Sequence, residues 1–174
     1  LAKEAHVQVL ARGTIQPGRF AILFAGDVEA VERSYLKAEP LCQPSLCDAV
    51  LLPYADERLV PAVLGKGVTW PAPGDTLGVV QLSFPPTLLK ATDVALKGAY
   101  VELVQLRLGD GLGGRAISLL WGDIHDVEAA LELAEEAAFG GCADGLSTSI
   151  IPNADDEVIA AFSEGTSFFK EWRG

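Results

Sequence analysis

The chain has 174 residues, of which 49% are apolar and 21% charged, a profile typical of a globular protein and not of a disordered one. The formal net charge of -11 argues against broad nucleic-acid binding, because no net positive field would attract phosphates. Three cysteines, the lack of an apolar run of membrane-spanning length and a start without signal-peptide regions favour a reducing cytoplasm over secretion or a membrane.

Residues 1–64, which we call the first segment, predict two strands and a helix. Residues 6–11 and 19–25 are runs of strand length, and the turn between them contains glycine and proline. Asp27 can cap the helix that follows. Three residues are expected to face inward from this helix: Val28, Val31 and Tyr35. Residues 65–75, rich in glycine and proline, are typical of a linker.

Residues 76–174, the second segment, predict the order strand, helix, strand, strand, helix, strand, helix. The strands are expected at 76–83, 100–108, 115–121 and 147–151, and the first helix at 87–98 after a proline pair that suits a helix start. Asp123 can cap the second helix and Gly140-Gly141 ends it. A short last helix carries Val158, Ile159 and Phe162.

Alternation along 100–108 predicts that Val101, Leu103 and Gln105 lie on one side of the strand and Glu102, Val104 and Leu106 on the other. The second helix of this segment has an expected apolar face made of Ile124, Val127, Leu131 and Ala134.

The two segments share three motifs in the same order, which predicts an internal duplication. The corresponding ranges are 3–7 with 97–101, 18–27 with 114–123, and 51–56 with 150–155. Their offset grows from 94 to 96 to 99 residues, as short loop insertions would produce. The first segment has no counterpart of residues 76 to about 96, so we expect a natural upstream segment to be missing and the first sheet to lack one strand.

Together, the Lys-x-Ala-x-Val end of the first helix, the glycine-containing turn between paired strands and the Gly-Asp that opens the second helix resemble the bacterial microcompartment shell domain. The resemblance implies an α/β (α+β) protein with two tandem ferredoxin-like, split βαβ shell domains, the first lacking its N-terminal strand and part of its first helix. Two such domains in one chain resemble the tandem subclass, in which three chains form a hexagon-like tile.

The resemblance implies a structural, non-enzymatic role as a pseudohexameric shell tile in the cytoplasm. The implied partners are two further copies of the chain, other shell proteins and small metabolites that cross a central pore; nucleic acid and a membrane are not expected. Some tandem shell proteins bind an iron–sulfur cluster through a pore cysteine, but neither turn of this chain has a cysteine, so no cofactor or metal is expected. It places Lys3 and Lys97 at the tile edge. Family members often carry a basic residue after the last strand, where this chain has Tyr54 and Asn153, and this departure puts the usual corner contacts in question.

In the resembled fold, the turn between the paired strands points at the ring axis. The turn residues that would line the pore are Gly13, Thr14, Ile15, Gln16 and Pro17 in the first segment, and Gly109, Asp110, Gly111, Leu112 and Gly113 in the second. Asp110 would supply a ring of three carboxylates that disfavours anions. Thr14 and Gln16 would offer hydrogen bonds to a neutral polar metabolite.

Other motifs indicate enzymes or cofactor sites only weakly. Gly109-x-Gly111-x-x-Gly114 matches the dinucleotide-binding pattern, but a strand is predicted after it where phosphate binding requires a helix. His125 beside Asp123 and Asp126 offers a base with an orienting carboxylate, although sequence neighbours on a helix do not face each other.

Cys42 and Cys47 could form half of a metal site, with small buried residues as the simpler alternative. Two other functions remain open from the sequence. One is a regulatory module that binds a small effector between ferredoxin-like halves. The other is a small enzyme with a site between the two segments.

Overall fold

A computed structural model describes residues 7–65, 70, 74–109 and 112–163. The first segment contains β1 (Val7–Ile15), β2 (Arg19–Gly26), α1 (Val28–Cys42) and α2 (Leu59–Val63). The second contains β3 (Thr76–Leu82), α3 (Pro85–Gly98), β4 (Glu102–Arg107), β5 (Ala116–Gly122), α4 (Ile124–Phe139), β6 (Ser147–Ile151) and α5 (Asp156–Ser163). The mixed α/β class and the predicted order of the second segment are confirmed.

The four strands of the second segment form an antiparallel sheet in the order β4-β5-β3-β6. Helices α3 and α4 cover one face with fully buried residues such as Leu88, Ala95 and Val127. Helix α5 covers the other face through the partly buried Val158 and its neighbours. Because both faces are covered, most residues of the central strands are apolar and do not alternate with polar ones.

Strand β4 carries a β-bulge that the alternating pattern did not predict. Leu103 pairs with Leu120 and Gln105 with Leu119, which leaves Val104 as the extra residue. Leu103 therefore packs under the helices and the adjacent Val104 packs on the opposite face. The prediction that Val104 and Leu106 share a face was wrong, because the bulge shifts every later residue by one position and places Leu106 under the helices.

In the first segment, β1 and β2 form a two-stranded antiparallel sheet with a bulge at the corresponding place. Val9 pairs with Phe24 and Ala11 with Leu23, so Leu10 is the extra residue. Strands β1 and β2 are the only strands among the described residues of this segment, and Phe20 on β2 is 66% exposed.

Two expectations about helix starts were wrong. Asp27 and Asp123 stand at the N-cap positions, but neither carboxylate makes a capping hydrogen bond. Ile124 and Val28, both expected to face inward, are exposed. Cα–Cβ bonds tilt toward the helix N-terminus, so the side chain of the first residue of a helix projects past the helix end, where the sheet does not cover it.

Candidate functional site

The two turns predicted to line a pore lie against each other within one chain. Gly113 N–H donates a 3.1 Å hydrogen bond to Gln16 Oε1. A Cβ added at Gly109 would lie 3.3 Å from Ile15 Cβ, and one added at Gly114 would lie 2.7 Å from Pro17 Cδ. Gly109 and Gly114 also have positive φ angles of 125° and 87°, which only glycine adopts without strain. The glycines therefore let the second turn approach the first.

The structure thus brings Ile15, Gln16 and Pro17 together with Gly109 and Gly113. Gly13 and Thr14 lie at the end of β1, and Leu112 lies in the second turn, where its carbonyl accepts from Arg115 N–H at 3.2 Å. Asp110 and Gly111 fall outside the described residues, as does the predicted edge residue Lys3. Strand β5 follows the glycine turn, so this turn lacks the helix that dinucleotide binding needs.

Lys97, the second predicted edge residue, lies in the last turn of α3 with its side chain 45% exposed. Its ammonium group lies 2.6 Å from the buried carboxylate of Asp93, one helical turn earlier. It also donates to the carbonyl of Tyr54, which belongs to the first segment. Lys97 therefore stands where the two segments meet at the surface.

A polar junction centred on Arg58 joins the segments near this point. The guanidinium of Arg58 donates to the carbonyl oxygens of Val101 at 2.8 Å and Leu96 at 3.0 Å, both in the second segment. It also lies 3.3 Å from the Glu102 carboxylate. Asp56 holds the guanidinium in place with two bonds of 2.8 and 2.9 Å. Arg58 thus binds the backbone that leads from α3 into β4.

Electrostatics at the junction follow from these bonds. Hydrogen bonding to Arg58 lowers the pKa of Asp56 below its usual value, against an opposing effect of burial. The same contact with Asp56 raises the pKa of Arg58, so both groups stay charged at neutral pH. Asp56 N–H also donates to Asp93 at 2.7 Å, which connects the Arg58 and Lys97 contacts into one network.

A second contact between the segments caps helix α3. The carboxylate of Asp48 accepts from the N–H of Thr87 at 2.9 Å and from its hydroxyl at 2.8 Å. The N–H of Thr87, the first backbone donor of α3 after its two prolines, therefore finds an acceptor in the other segment. The same Thr87 hydroxyl accepts from Cys142 N–H at 3.1 Å, so the contact also reaches the end of α4.

Arg19 makes a third contact from strand β2. Its guanidinium donates to the carbonyl of Ser83 at 3.1 Å and lies 4.2 Å from the ring centroid of Phe84. Apolar residues of the first segment, including Leu59 and Ala62 of α2, are buried in the same core as α3 and α4. The segments are therefore joined by packing as well as by polar contacts.

Sequence reasoning missed this junction. One signal was present: when the correspondence of 51–56 with 150–155 is extended by two residues, Arg58 corresponds to Glu157, a residue of opposite charge. The acceptors gave no signal, because Leu96, Val101, Ser83 and Tyr54 accept through backbone carbonyls, which every residue has.

The residues weighed as catalytic or metal-binding do not form a site. His125 is almost fully exposed and lies 3.5 Å from Glu128, one turn along the helix. Cys42 and Cys47 are exposed free thiols. Within the described residues, no group of three His, Cys, Asp or Glu side chains could hold a metal ion. None of the helices in this part of the chain combines the length and apolarity that crossing a bilayer requires.

Residues 76–154 match the BMC domain family. The chain is 29% identical over 165 residues to the bacterial microcompartment shell protein PduT of Citrobacter freundii, covering 95% of this chain and 88% of that protein. A microcompartments protein from Desulfitobacterium hafniense DCB has a similar crystal structure, with a TM-score of 0.77, 26% identity and coverage of 90% of this chain and 86% of that one.

A fused permuted hexameric shell protein from the RMM microcompartment matches with a TM-score of 0.55 and 20% identity, over 80% of this chain and 71% of that one. At that identity the likeness concerns the fold alone.

Proposed function

We propose that this chain, which is a structural shell subunit of a bacterial microcompartment and not an enzyme, forms a homotrimer that acts as a pseudohexameric tile. In this proposal residues 1–64 and 76–174 are tandem shell domains joined by the linker 65–75. The tile would sit with other shell proteins in a microcompartment shell in the bacterial cytoplasm.

The observation that carries the tandem arrangement is the shared hairpin. Each hairpin has a one-residue bulge, at Leu10 in β1 and at Val104 in β4, opposite corresponding residues of the partner strand. A bulge is a local irregularity, so its occurrence at the same place in both hairpins supports a common origin. The junction within the chain joins unlike surfaces of the two segments, and such a heterologous contact generates a closed ring if its rotation closes.

Native mass spectrometry and electron microscopy of the purified protein test the trimer. We expect a mass of three chains and hexagonal particles or sheets with threefold symmetry. A stable monomer or a twofold dimer at micromolar concentration would contradict the proposal.

We further propose that the paired turns line a pore for small metabolites. The contact between Gln16 and Gly113 supports this, since three such pairs around an axis would alternate two loop types. Asp110 would add a ring of three carboxylates. Replacing Asp110 with Asn should raise anion flux through tiles in a planar membrane, whereas Asp126→Asn, on α4, serves as a charge-matched control. Equal flux in the two variants, with trimers intact, would exclude Asp110 from the route.

Finally, we propose that Lys97 and Lys3 lie at the tile edge. The half-exposed position of Lys97 at the surface end of the junction supports this assignment. Lys97→Ala should leave the trimer intact and weaken its assembly into sheets, measured by electron microscopy. Lys90→Ala on the same helix is the control. Unchanged sheet formation by the Lys3→Ala/Lys97→Ala variant would remove the assignment.

A further inference from the structure

Two arginines of the second segment lie side by side on the face of the sheet that α5 covers. Arg107 ends β4 and pairs with Ile117, and Arg115 immediately precedes β5, two residues before Ile117. Leu108 and Ala116 pack in the core under α3 and α4. Because side chains alternate along strands, Arg107 and Arg115 lie on the opposite face. Diagonal neighbours of this kind are about 7–8 Å apart, so the two guanidinium groups can bind one ligand.

Neither guanidinium has a partner among the described residues. Arg19, Arg33 and Arg58 each donate to a carbonyl or carboxylate oxygen, whereas no described residue accepts a hydrogen bond from Arg107 or Arg115. Arg107 is partly buried, and burial lowers its pKa without an opposing carboxylate. The chain has 24 acidic and 13 basic residues, so a partly buried cation without a carboxylate is unexpected. The two adjacent cations also repel each other, and an anion between them would remove both costs.

We propose that Arg107 and Arg115 form a binding site for a small oxyanion, the carboxylate or phosphate group of a metabolite. Gln81 and Gln105 complete the set of donors, because Gln81 pairs with Ile117 and Gln105 lies two residues before Arg107 on the same face. Planar guanidinium groups bind carboxylate and phosphate oxygens with two parallel hydrogen bonds. Ile117 packs in the apolar cluster under α5, and such low-dielectric surroundings strengthen hydrogen bonds to a charge.

The site lies within one chain, beside the paired turns. Gly109 is opposite Arg115 in the register of the hairpin and lies against Ile15 of the first turn. If these turns line a pore, the oxyanion site lies at its mouth on the α5 side. This placement rests on the proposed function, whereas the binding itself does not. Asp110 belongs to the turn between the two arginines and falls outside the described residues, so its carboxylate is the rival occupant of the site.

Isothermal titration calorimetry of the full chain with inorganic phosphate at low ionic strength tests the site. We expect saturable binding that sodium chloride at the same ionic strength does not reproduce, and a parallel titration with acetate shows whether phosphate or carboxylate is preferred. Arg107→Gln and Arg115→Gln should each weaken binding at least about fivefold, because each removes charge-assisted hydrogen bonds. Arg12→Gln is the matched control, since Arg12 is an exposed arginine on the other hairpin.

Two further variants separate a built site from a general attraction of anions to positive charge. Arg115→Lys keeps the charge and loses the planar pair of donors, so it should weaken phosphate binding more than Arg12→Gln does. Gln105→Met removes the amide without changing the charge and should weaken binding about two- to fivefold. Circular dichroism checks that each variant is folded. Because Arg115 is exposed, its variants test the site even if Arg107→Gln does not fold.

Three results would overturn the site. The first is that the unmodified chain binds neither phosphate nor acetate saturably, and the second is that Arg115→Gln and Arg12→Gln bind with equal affinity. The third is binding that occurs only in Asp110→Asn, which would show that the Asp110 carboxylate fills the site. If phosphate binds as expected and the chain is not a trimer, the site stands and only its place at a pore mouth is wrong.

Discussion

Replacing Arg58 with Ala should destabilise the protein by at least about 2 kcal/mol, the contribution of its two bonds across the junction, since its bonds to Asp56 are lost as well. The change removes two hydrogen bonds from a charged donor to the carbonyls of Leu96 and Val101. Such bonds contribute about 1.5–3 kcal/mol each when buried, and we take about 1 kcal/mol each because the Arg58 side chain is 31% exposed. For a chain of this length that loss corresponds to a fall of about 4–8 °C in Tm.

Urea unfolding followed by circular dichroism measures this loss, at one fixed protein concentration because association contributes to stability. Glu102→Gln is the control, since it removes only the exposed ion pair and should cost no more than about 0.5 kcal/mol. If Arg58→Ala costs no more than Glu102→Gln, the carbonyl contacts do not hold the two segments together and the reasoning is refuted.

Three further predictions concern residues at the junction and the paired turns. Asp48→Ala should lower the free energy of unfolding by about 1 kcal/mol, because the acceptor that caps α3 is lost. Asp48→Asn keeps an acceptor oxygen and should lower it less. Equal losses for the two variants in urea unfolding would argue against capping. Gly114→Ala should lower the free energy of unfolding by about 1–3 kcal/mol, because the new Cβ would lie 2.9 Å from the Gln16 carbonyl oxygen and the backbone φ is 87°. Gly13→Ala is the control: it has open space around it and should lower the free energy far less in the same urea measurement. Because the pKa of Asp56 is lowered in the folded protein, its ionised carboxylate increases the free energy of unfolding above the unfolded pKa of about 3.9. This stabilisation is lost as the pH falls through the lower folded pKa. Asp56→Asn should therefore flatten the acid limb of a plot of unfolding free energy against pH, and an unchanged limb would exclude Asp56 as its source.

The order of elements in the second segment was predictable because its strands and helices carry strong local signals. Residues 147–151 form a strand with the predicted bounds, and α4 ends at Gly140 as expected. The bulge at Val104 was not predictable, because Leu103, Val104 and Leu106 are all apolar. A one-residue shift in pairing therefore does not change the pattern of apolar and polar residues along the strand.

Residues 48–52 show how tertiary context overrides a motif. Their correspondence with 147–151 favours a strand, yet they adopt no strand in the structure. Strand β6 forms by pairing with β3, and the described residues of the first segment offer no strand in the equivalent place. The same local pattern therefore gives different structures with and without a partner strand.

The three cations that join the segments share a property that bears on how the sequence can vary. Arg58, Lys97 and Arg19 each donate to at least one backbone carbonyl across the junction. A carbonyl is unchanged by side-chain substitution, so exposed acceptors such as Tyr54 can be replaced freely while the bond persists. In a deep mutational scan, substitutions should therefore be depleted at the three donors and abundant at the exposed acceptor Tyr54, whereas the acceptors Leu96 and Val101 stay constrained by their burial in the core.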